Sequence, residues 1–449
     1  MARRLLVIGL DCASPKLLYE EFRGELPTLE MLVNDGLKAE LVSCHPPITI
    51  PAWSVMVTGK TPGELGLYGF RHRKPGMYNE FYIANSRSVK EPTVWDILGR
   101  RGLKSVVVGV PPSYPPKPVR GVMVSCFITP GPESSYTFPP TLKREIESRF
   151  GKYIFDVVYR SEDRDRIIRE AWAMTRQHFQ VLRYLASTRK WDFFMFVEIG
   201  VDRVHHAFWG YMDKEHHKYV PGNKYENVIK KYYSLVDGEI AELLKVVPKD
   251  TVIMVVSDHG AKRMKGAFVV NQWLAEKGYL KIMDENIKPG TELKKVKVDW
   301  SKTIAWGWGG YYARIFLNVK GREPFGVVDP KDYEEYRDML AEDIKKIKGP
   351  RGEKWNTKVY KPEELYPVVR GDPPDLMVFF DDLYWRSAGT LGWDTVYLRE
   401  NDRGPDDAVH DWYGVLSVYD PENTVDEGKK VIRIEEIRDL MLEIMELKL

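Results

Sequence analysis

Asp258 and His259 stand side by side at the end of the apolar stretch VIMVVSDHGA, residues 252–261. A carboxylate and an imidazole both donate to divalent cations. Other positions repeat the pattern. Asp11 follows VIGL, Asp202 follows FMFVEIGV, and His410 lies in DDAVHDWYGVLSV just ahead of a late apolar run. The segment DRVHHAFW spaces Asp202 and His206 four apart, which on a helix puts both on one face. Each has a plainer reading when taken singly. Asp11 fits a turn or cap, Asp258 fits a cap before a helix, Asp202 with His206 is a common spacing, and His259 and His410 fit as packing residues. Collected, they are three carboxylates and three imidazoles, and crowded carboxylates repel unless cations neutralise them. The joint reading is a two-metal site.

A nucleophile can be sought in HPPITIPAWSVMVTGKTPGELGLYGF, residues 45–70. Thr49 precedes Ile50 and Pro51, and AWSVMVTG reads as a helix. A hydroxyl at a helix amino terminus meets unpaired N–H groups and the positive dipole end, a setting that favours phosphate. Alternatively Thr49 is an N-cap ahead of a proline at the first helical position. Ser54 and Thr58 would fall inside the helix.

Donors at strand ends need strands that converge. Apolar runs at 4–10, 104–110, 191–199, 250–257 and 374–380 read as buried strands. Helical patterns lie between them at 140–150, 166–187 and 225–247. The alternation predicts an α/β chain with a mostly parallel sheet covered on both faces, whose ligands gather beyond the carboxyl ends of its strands. Residues 284–365 break the rhythm with KKVKVDWSK, AWGWGGYYARIFLNVKG and the charged helix DPKDYEEYRDMLAEDIKKIK. They are expected to form a small α+β cap inserted in a core made of 1–283 and 366–449.

The 449 residues include 43% hydrophobic and 29% charged positions, with a formal net charge of +2. That composition describes a globular chain, and it argues against nucleic acid as main partner because backbone binding needs a concentrated basic face. Three cysteines cannot form a disulfide framework. The apolar run after Arg3 and Arg4 is too short for a signal segment, and no run reaches the roughly 18 residues of a membrane span. The expectation is a cytoplasmic protein without membrane contact.

The ordered set Asp11, Thr49-x-Pro51, Asp202-x-x-x-His206, Asp258-His259-Gly260 and His410 resembles the alkaline phosphatase superfamily. Within it, the chain resembles the type I phosphodiesterase/nucleotide pyrophosphatase family, whose nucleophile is threonine. The resemblance spans residues 11 to 410 and implies a three-layer α/β/α sandwich. It implies that Asp202, His206 and His410 hold one divalent ion, and that Asp11, Asp258 and His259 hold a second beside Thr49. It further implies zinc, a phosphothreonine intermediate, and hydrolysis of small phosphodiesters or pyrophosphates. The family spacing selects His206 over its neighbour His205. His45, His72, His178, His216 and His217 are left as surface or packing residues.

The chain departs from the family in two places. Cys12 stands where glycine commonly follows the first aspartate, and Phe70 falls where a phosphate-orienting asparagine belongs. Arg71 and His72 are candidates to replace that contact. Tyr68, Phe70 and Arg71 are expected at the substrate, on an aromatic rim with Trp53 and Tyr82, and Trp306 or Trp308 is either a further contact or core. Related alternatives are a phosphonoacetate hydrolase, which also uses threonine, and a phosphomutase, which normally presents serine. A sulfatase does not fit, because Cys44 is followed by HPPI without the required arginine. A metal-stabilised binding protein without turnover is the non-enzymatic alternative.

Overall fold

Strand Leu5–Leu10 has every residue buried and lies at the middle of a nine-stranded sheet. From one edge the order is Val431–Arg433, Leu37–Val42, Tyr413–Tyr419, Val252–Val256, Leu5–Leu10, Phe193–Glu198, Ser105–Val108, Gly121–Val124 and Thr137–Phe138. The strands from Val252–Val256 through Gly121–Val124 are mutually parallel. Tyr413–Tyr419 runs antiparallel to both of its neighbours. The computed structural model describes residues 3–422 and 430–446.

Burial on both faces explains why these strands are continuous apolar runs. Leu5, Val7, Met195, Val197, Val252, Met254 and Val256 share one core with Ala52, Trp53, Val55 and Met56 of helix Thr49–Thr58 and with Ile437 and Met441. The alternate residues Leu6, Ile8, Phe194, Phe196, Ile253 and Val255 are buried too. On that side Phe179, from helix Arg164–Thr188, meets Phe196 edge-on at 5.5 Å. Every residue of helix Thr49–Thr58 is buried, so it has no polar face. Each large side chain it buries contributes roughly 1.5–3 kcal/mol, and a charge in place of Val55 would break that packing.

By its internal contacts the chain forms two units: Met1–Gly69, Ala84–Ala261 and His410–Leu449 make the first, Phe70–Ile83 and Lys262–Val409 the second. The first holds the nine-stranded sheet. The second is built on an antiparallel sheet ordered Ala305–Trp308, Ala313–Leu317, Leu376–Phe379 and Lys358–Tyr360, with helix Tyr333–Lys345. Arg73 is buried there between Glu323 at 2.6 Å and Asp372 at 2.7 Å. Its long segment is closed near the ends, where the amide of Met264 donates to the carbonyl of Asp407 at 3.0 Å.

This unit is wider than the cap expected at 284–365. The run at 374–380 is a strand, but it pairs antiparallel with Ala313–Leu317 inside the second unit rather than joining the main sheet. An apolar run reports burial, not which sheet buries it. Among the described residues, no helix is long and apolar enough to cross a membrane.

Candidate metal centre and nucleophile

Register brings the donors together. Leu10 pairs with Glu198 on one side, and Gly9 pairs with Val256 on the other, so the residues after these three strands emerge in a row. Asp11 opens a turn in which the amide of Ala13 donates to the carbonyl of Leu10 at 3.1 Å, with Cys12 at φ +64°. The amide of Cys12 donates to Asp258 Oδ1 at 3.1 Å, tying the first strand end to the neighbouring one. Helix Gly200–Met212 starts two residues beyond Glu198 and carries Asp202 in its first turn and His206 one turn later. A carboxylate in a first turn suits the positive end of the helix dipole.

Two donor groups result. Cys12, Asp202, His206 and His410 form one, and Asp11, Asp258 and His259 form the other; within each, the ligand atoms all lie within 4.8 Å of one another, and every residue is buried. His206 Nε2 is 3.1 Å from Asp202 Oδ1 and 3.3 Å from His410 Nε2. The His259 and His410 rings stack at 3.8 Å, linking the groups. The six positions read from the sequence as metal donors all lie in these two groups, and Cys12, which the sequence reading left out, joins the first. His205, the rival, points instead to the hydroxyl of Tyr233 at 3.2 Å.

The donor set fits cations by its unmet needs. Asp11 Oδ1 is buried and outside any hydrogen bond, while Asp202 Oδ1, Asp258 Oδ2 and His259 Nε2 are buried with only donor-set atoms to face, His206 Nε2 lying 3.1 Å from Asp202 Oδ1 and His259 Nε2 3.1 Å from Asp258 Oδ2. Such groups are costly unless something else satisfies them. Burial, reinforced by the charges of Asp258 and Asp202, holds the Asp11 carboxyl well above the usual carboxylate range. Burial pushes Asp202 the same way, but His206 and then Arg203 outweigh it and hold that carboxyl well below its usual range. Burial, followed by the neighbouring imidazoles of His259 and His206, keeps His410 well below the usual histidine value. His410 is therefore the neutral imidazole that ligation requires. Its Nδ1 faces the carbonyl of Pro47 at 2.7 Å, which orients the other nitrogen toward Asp202 and His206.

Thr49 is the first residue of its helix, after Ile48 as N-cap. It is not the cap considered from sequence, and Pro51 is the third helical residue rather than the first. Ala52 N already bonds the carbonyl of Ile48 at 2.9 Å and Pro51 has no N–H, so the amides of Thr49 and Ile50 lack intrahelical acceptors. Ser54 and Thr58 lie inside the helix with their hydroxyls turned back to the carbonyls of Ile50 and Ser54, at 2.7 and 2.6 Å. Trp53, one turn beyond Thr49 on the same face, donates its indole N–H to Asp11 Oδ2 at 2.6 Å. The Thr49 face of the helix is thereby turned toward the second donor group. Gly9 permits the approach: a Cβ there would sit 2.7 Å from both the Trp53 ring and the carbonyl of Phe196.

The expected substrate rim fares differently. Tyr68 and Trp53 are completely buried, and so is Trp306, which belongs to the core of the second unit. An aromatic residue close in sequence to a site is as ready to pack as to face a ligand. Phe70 and Arg71 begin the second unit, where the exposed Arg71 lies over the Phe81 ring at 4.8 Å. His72 is buried, and burial followed by the charge of Arg314 lowers its pKa to about 3. Tyr82 is 43% exposed and stacks on His72 at 5.4 Å.

Several supporting residues have no clear signature in the sequence. Arg203 pairs with Asp202 and grips Asp156 at 2.6 and 2.8 Å. His178, read as a packing residue, is part of a buried ion pair. Its two ring nitrogens face only acceptors, Glu198 Oε2 at 3.0 Å and the carbonyl of Ile154 at 2.6 Å. Burial lowers the pKa of His178, yet Glu198 outweighs it and the net shift is upward. Glu198 Oε1 also accepts from the amide of Gly200 at 2.9 Å, fixing the start of the helix that carries Asp202 and His206. Cys12 could have been read as a donor from its place beside Asp11.

The family model of type I phosphodiesterases/nucleotide pyrophosphatases matches residues 5–406. No curated protein matches the sequence. Among solved structures, human ectonucleotide pyrophosphatase/phosphodiesterase 5 superposes with a TM-score of 0.58 at 13% identity, over 99% of this chain and 96% of that one. An inactive form of its murine counterpart, in complex with AMP, superposes over the same shares with 0.57 at 13%. Phosphonoacetate hydrolase from Sinorhizobium meliloti 1021, in complex with phosphonoacetate, gives 0.60 at 16%, again over 99% and 96%. At such identities the likeness is one of fold.

Proposed function

The chain belongs to the type I phosphodiesterase/nucleotide pyrophosphatase family and is a phosphoric ester hydrolase; on that premise we propose that it cleaves small phosphodiesters with Thr49 as nucleophile. The observation that carries the reading is the pair of buried donor groups beyond adjacent strand ends, with Asp11 Oδ1 outside any hydrogen bond and the other carboxylate and imidazole atoms facing one another. In this reading Asp202, His206 and His410 hold one divalent ion, and Asp11, Asp258 and His259 hold the second beside Thr49. Their oxygen and nitrogen donors suit zinc. The ions would supply charge to the attacking and leaving oxygens of an in-line displacement and make the threonine hydroxyl more acidic.

The chain's own part is positioning and charge. Thr49 Oγ attacks phosphorus, the leaving alcohol departs opposite, and the resulting phosphothreonine is hydrolysed by water. The amides of Thr49 and Ile50, at the positive end of a buried helix, receive phosphoryl oxygens. Trp53 holds Asp11, and Arg203 holds Asp202. The buried setting excludes bulk water and strengthens these interactions.

A diester carries one negative charge where a monoester carries up to two. Arg203, a cation touching the donor set, is already committed to Asp202 and Asp156, which leaves it unavailable to a second phosphate charge. This supports diesters over monoesters. The likeness to a phosphonoacetate hydrolase in complex with its phosphonate keeps carbon–phosphorus cleavage by the same threonine as a second reading. The three cysteines are free and buried, in keeping with a reducing, cytoplasmic setting.

The test compares kcat/KM for an aryl phosphodiester, its monoester and a phosphonate at one pH with zinc present. The diester should be fastest. Thr49→Ala should keep the metals and lose most turnover, and Thr49→Ser should keep part of it. A monoester or phosphonate preference would move the substrate assignment, and full turnover by the alanine variant would remove Thr49 from the chemistry.

A further inference from the structure

Cys12 occupies a place that costs energy to fill with any side chain. Its φ of +64° is a left-handed conformation that suits glycine and costs other residues roughly 1–2 kcal/mol. Strain of this kind persists where the surroundings impose it, and it gathers at functional sites. In this turn the strained residue directs its sulfur inward, completely buried, into the group formed by Asp202, His206 and His410. A second observation points to a ligand there. Asp202 Oδ1, on a side chain 2% exposed, receives no well-aligned hydrogen bond and is aimed into the group, where it meets the ring nitrogens His206 Nε2 at 3.1 Å and His410 Nε2 at 3.8 Å.

We infer that Cys12 is a metal ligand, so that the first ion, on the two-metal reading above, sits in a Cys12–Asp202–His206–His410 set. On binding, the S–H bond gives way to a sulfur–metal bond and the proton leaves to solvent. Four protein donors of this kind complete a tetrahedron, the arrangement of closed zinc sites, whereas open catalytic sites keep three. The two sites then differ in kind. The Cys12 site is soft and full and would act on the reacting oxygens through its charge rather than through a bond, and the Asp11–Asp258–His259 site stays open beside the nucleophile.

Charge follows the same division. Three aspartates and one thiolate balance two dications, leaving the assembled centre close to neutral and less attractive to a doubly charged phosphate. Cys12 thereby acts on specificity, favouring singly charged esters. The competing account is that its thiol only packs, with the sulfur near the carbonyl of Gly260 at 3.4 Å.

The experiment loads the full chain with cobalt in place of zinc and records absorption spectra of the parent, Cys12→Ser and Cys12→Gly. Glycine fits the turn without strain, so that variant guards against misfolding. The parent should show near-ultraviolet sulfur-to-cobalt charge transfer. Both variants should lose that band while keeping the visible cobalt bands from the remaining donors, and one zinc affinity should fall roughly tenfold or more. A parent that binds two cobalt ions without the sulfur band overturns the ligand assignment and leaves the two-metal reading standing. A parent that binds neither cobalt nor zinc overturns both.

Discussion

Replacing Trp53 with phenylalanine removes the indole N–H together with two ring carbons, so it costs some core packing as well, and read through the metal affinity rather than through stability it tests how the second cation site is held. The indole N–H donates to Asp11 Oδ2 at 2.6 Å in a completely buried setting, and Asp11 Oδ1 has no hydrogen bond of its own. The variant leaves both carboxylate oxygens to the cation alone. A hydrogen bond to a charged group contributes about 1.5–3 kcal/mol. At about 1.4 kcal/mol per decade, the cation at Asp11, Asp258 and His259 should bind roughly 10–100-fold more weakly. That range also matches the usual effect of removing a partner behind a ligand. The Asp202 site, which does not contact Trp53 through a hydrogen bond, should keep its affinity. Titration of zinc against a chromophoric chelator separates the two constants. Two unchanged constants would refute the argument that Trp53 prepares Asp11 for a cation.

Other outcomes follow from the same geometry. Prolonged treatment with a chelator should abolish diester hydrolysis, and zinc added back should restore it; turnover indifferent to both would end the metal reading. Glu198→Gln should cost about 3–5 kcal/mol near pH 6, because it leaves the buried His178 cation without its partner. The folded-state pKa of His178 lies above 6.5, so the pair stabilises fully below that pH and its contribution fades as pH rises through the raised value. Urea unfolding of parent and variant across this window should therefore show a gap that narrows with rising pH, and a constant gap would contradict it. Gly9→Ala should destabilise by about 1–3 kcal/mol by pressing a methyl against the Trp53 ring, read by the same unfolding assay.

What could be read in advance depended on how local the cause was. Leu5–Leu10 and Val252–Val256 announce themselves because burial on both faces demands unbroken apolar runs, and the donors follow directly in the chain. Asp202 and His206 were legible because four positions make a helical turn. His178 was not, since its partner Glu198 is 20 positions away and only packing joins them. For Tyr68 the sequence was silent on burial: nearness to Thr49 carried no information about exposure, and the side chain is completely buried. The limits of the second unit escaped as well. Its strand Leu376–Phe379 has the apolar character of a core strand, and only the antiparallel pairing with Ala313–Leu317 shows where it belongs.

The bond between Met264 and Asp407 gives the second unit the character of an exchangeable module. His206 and His410 lie 204 positions apart, a separation that makes closing the donor set expensive for a loose chain. With the long insertion pinned at its ends, most of that separation is already closed before the last histidine arrives. Doubling a flexible loop inside the insertion costs only about 0.6 kcal/mol. Loops between residues 265 and 406 can therefore change length and leave the spacing of His259 and His410 untouched, provided Glu323 and Asp372 stay to pair with the buried Arg73.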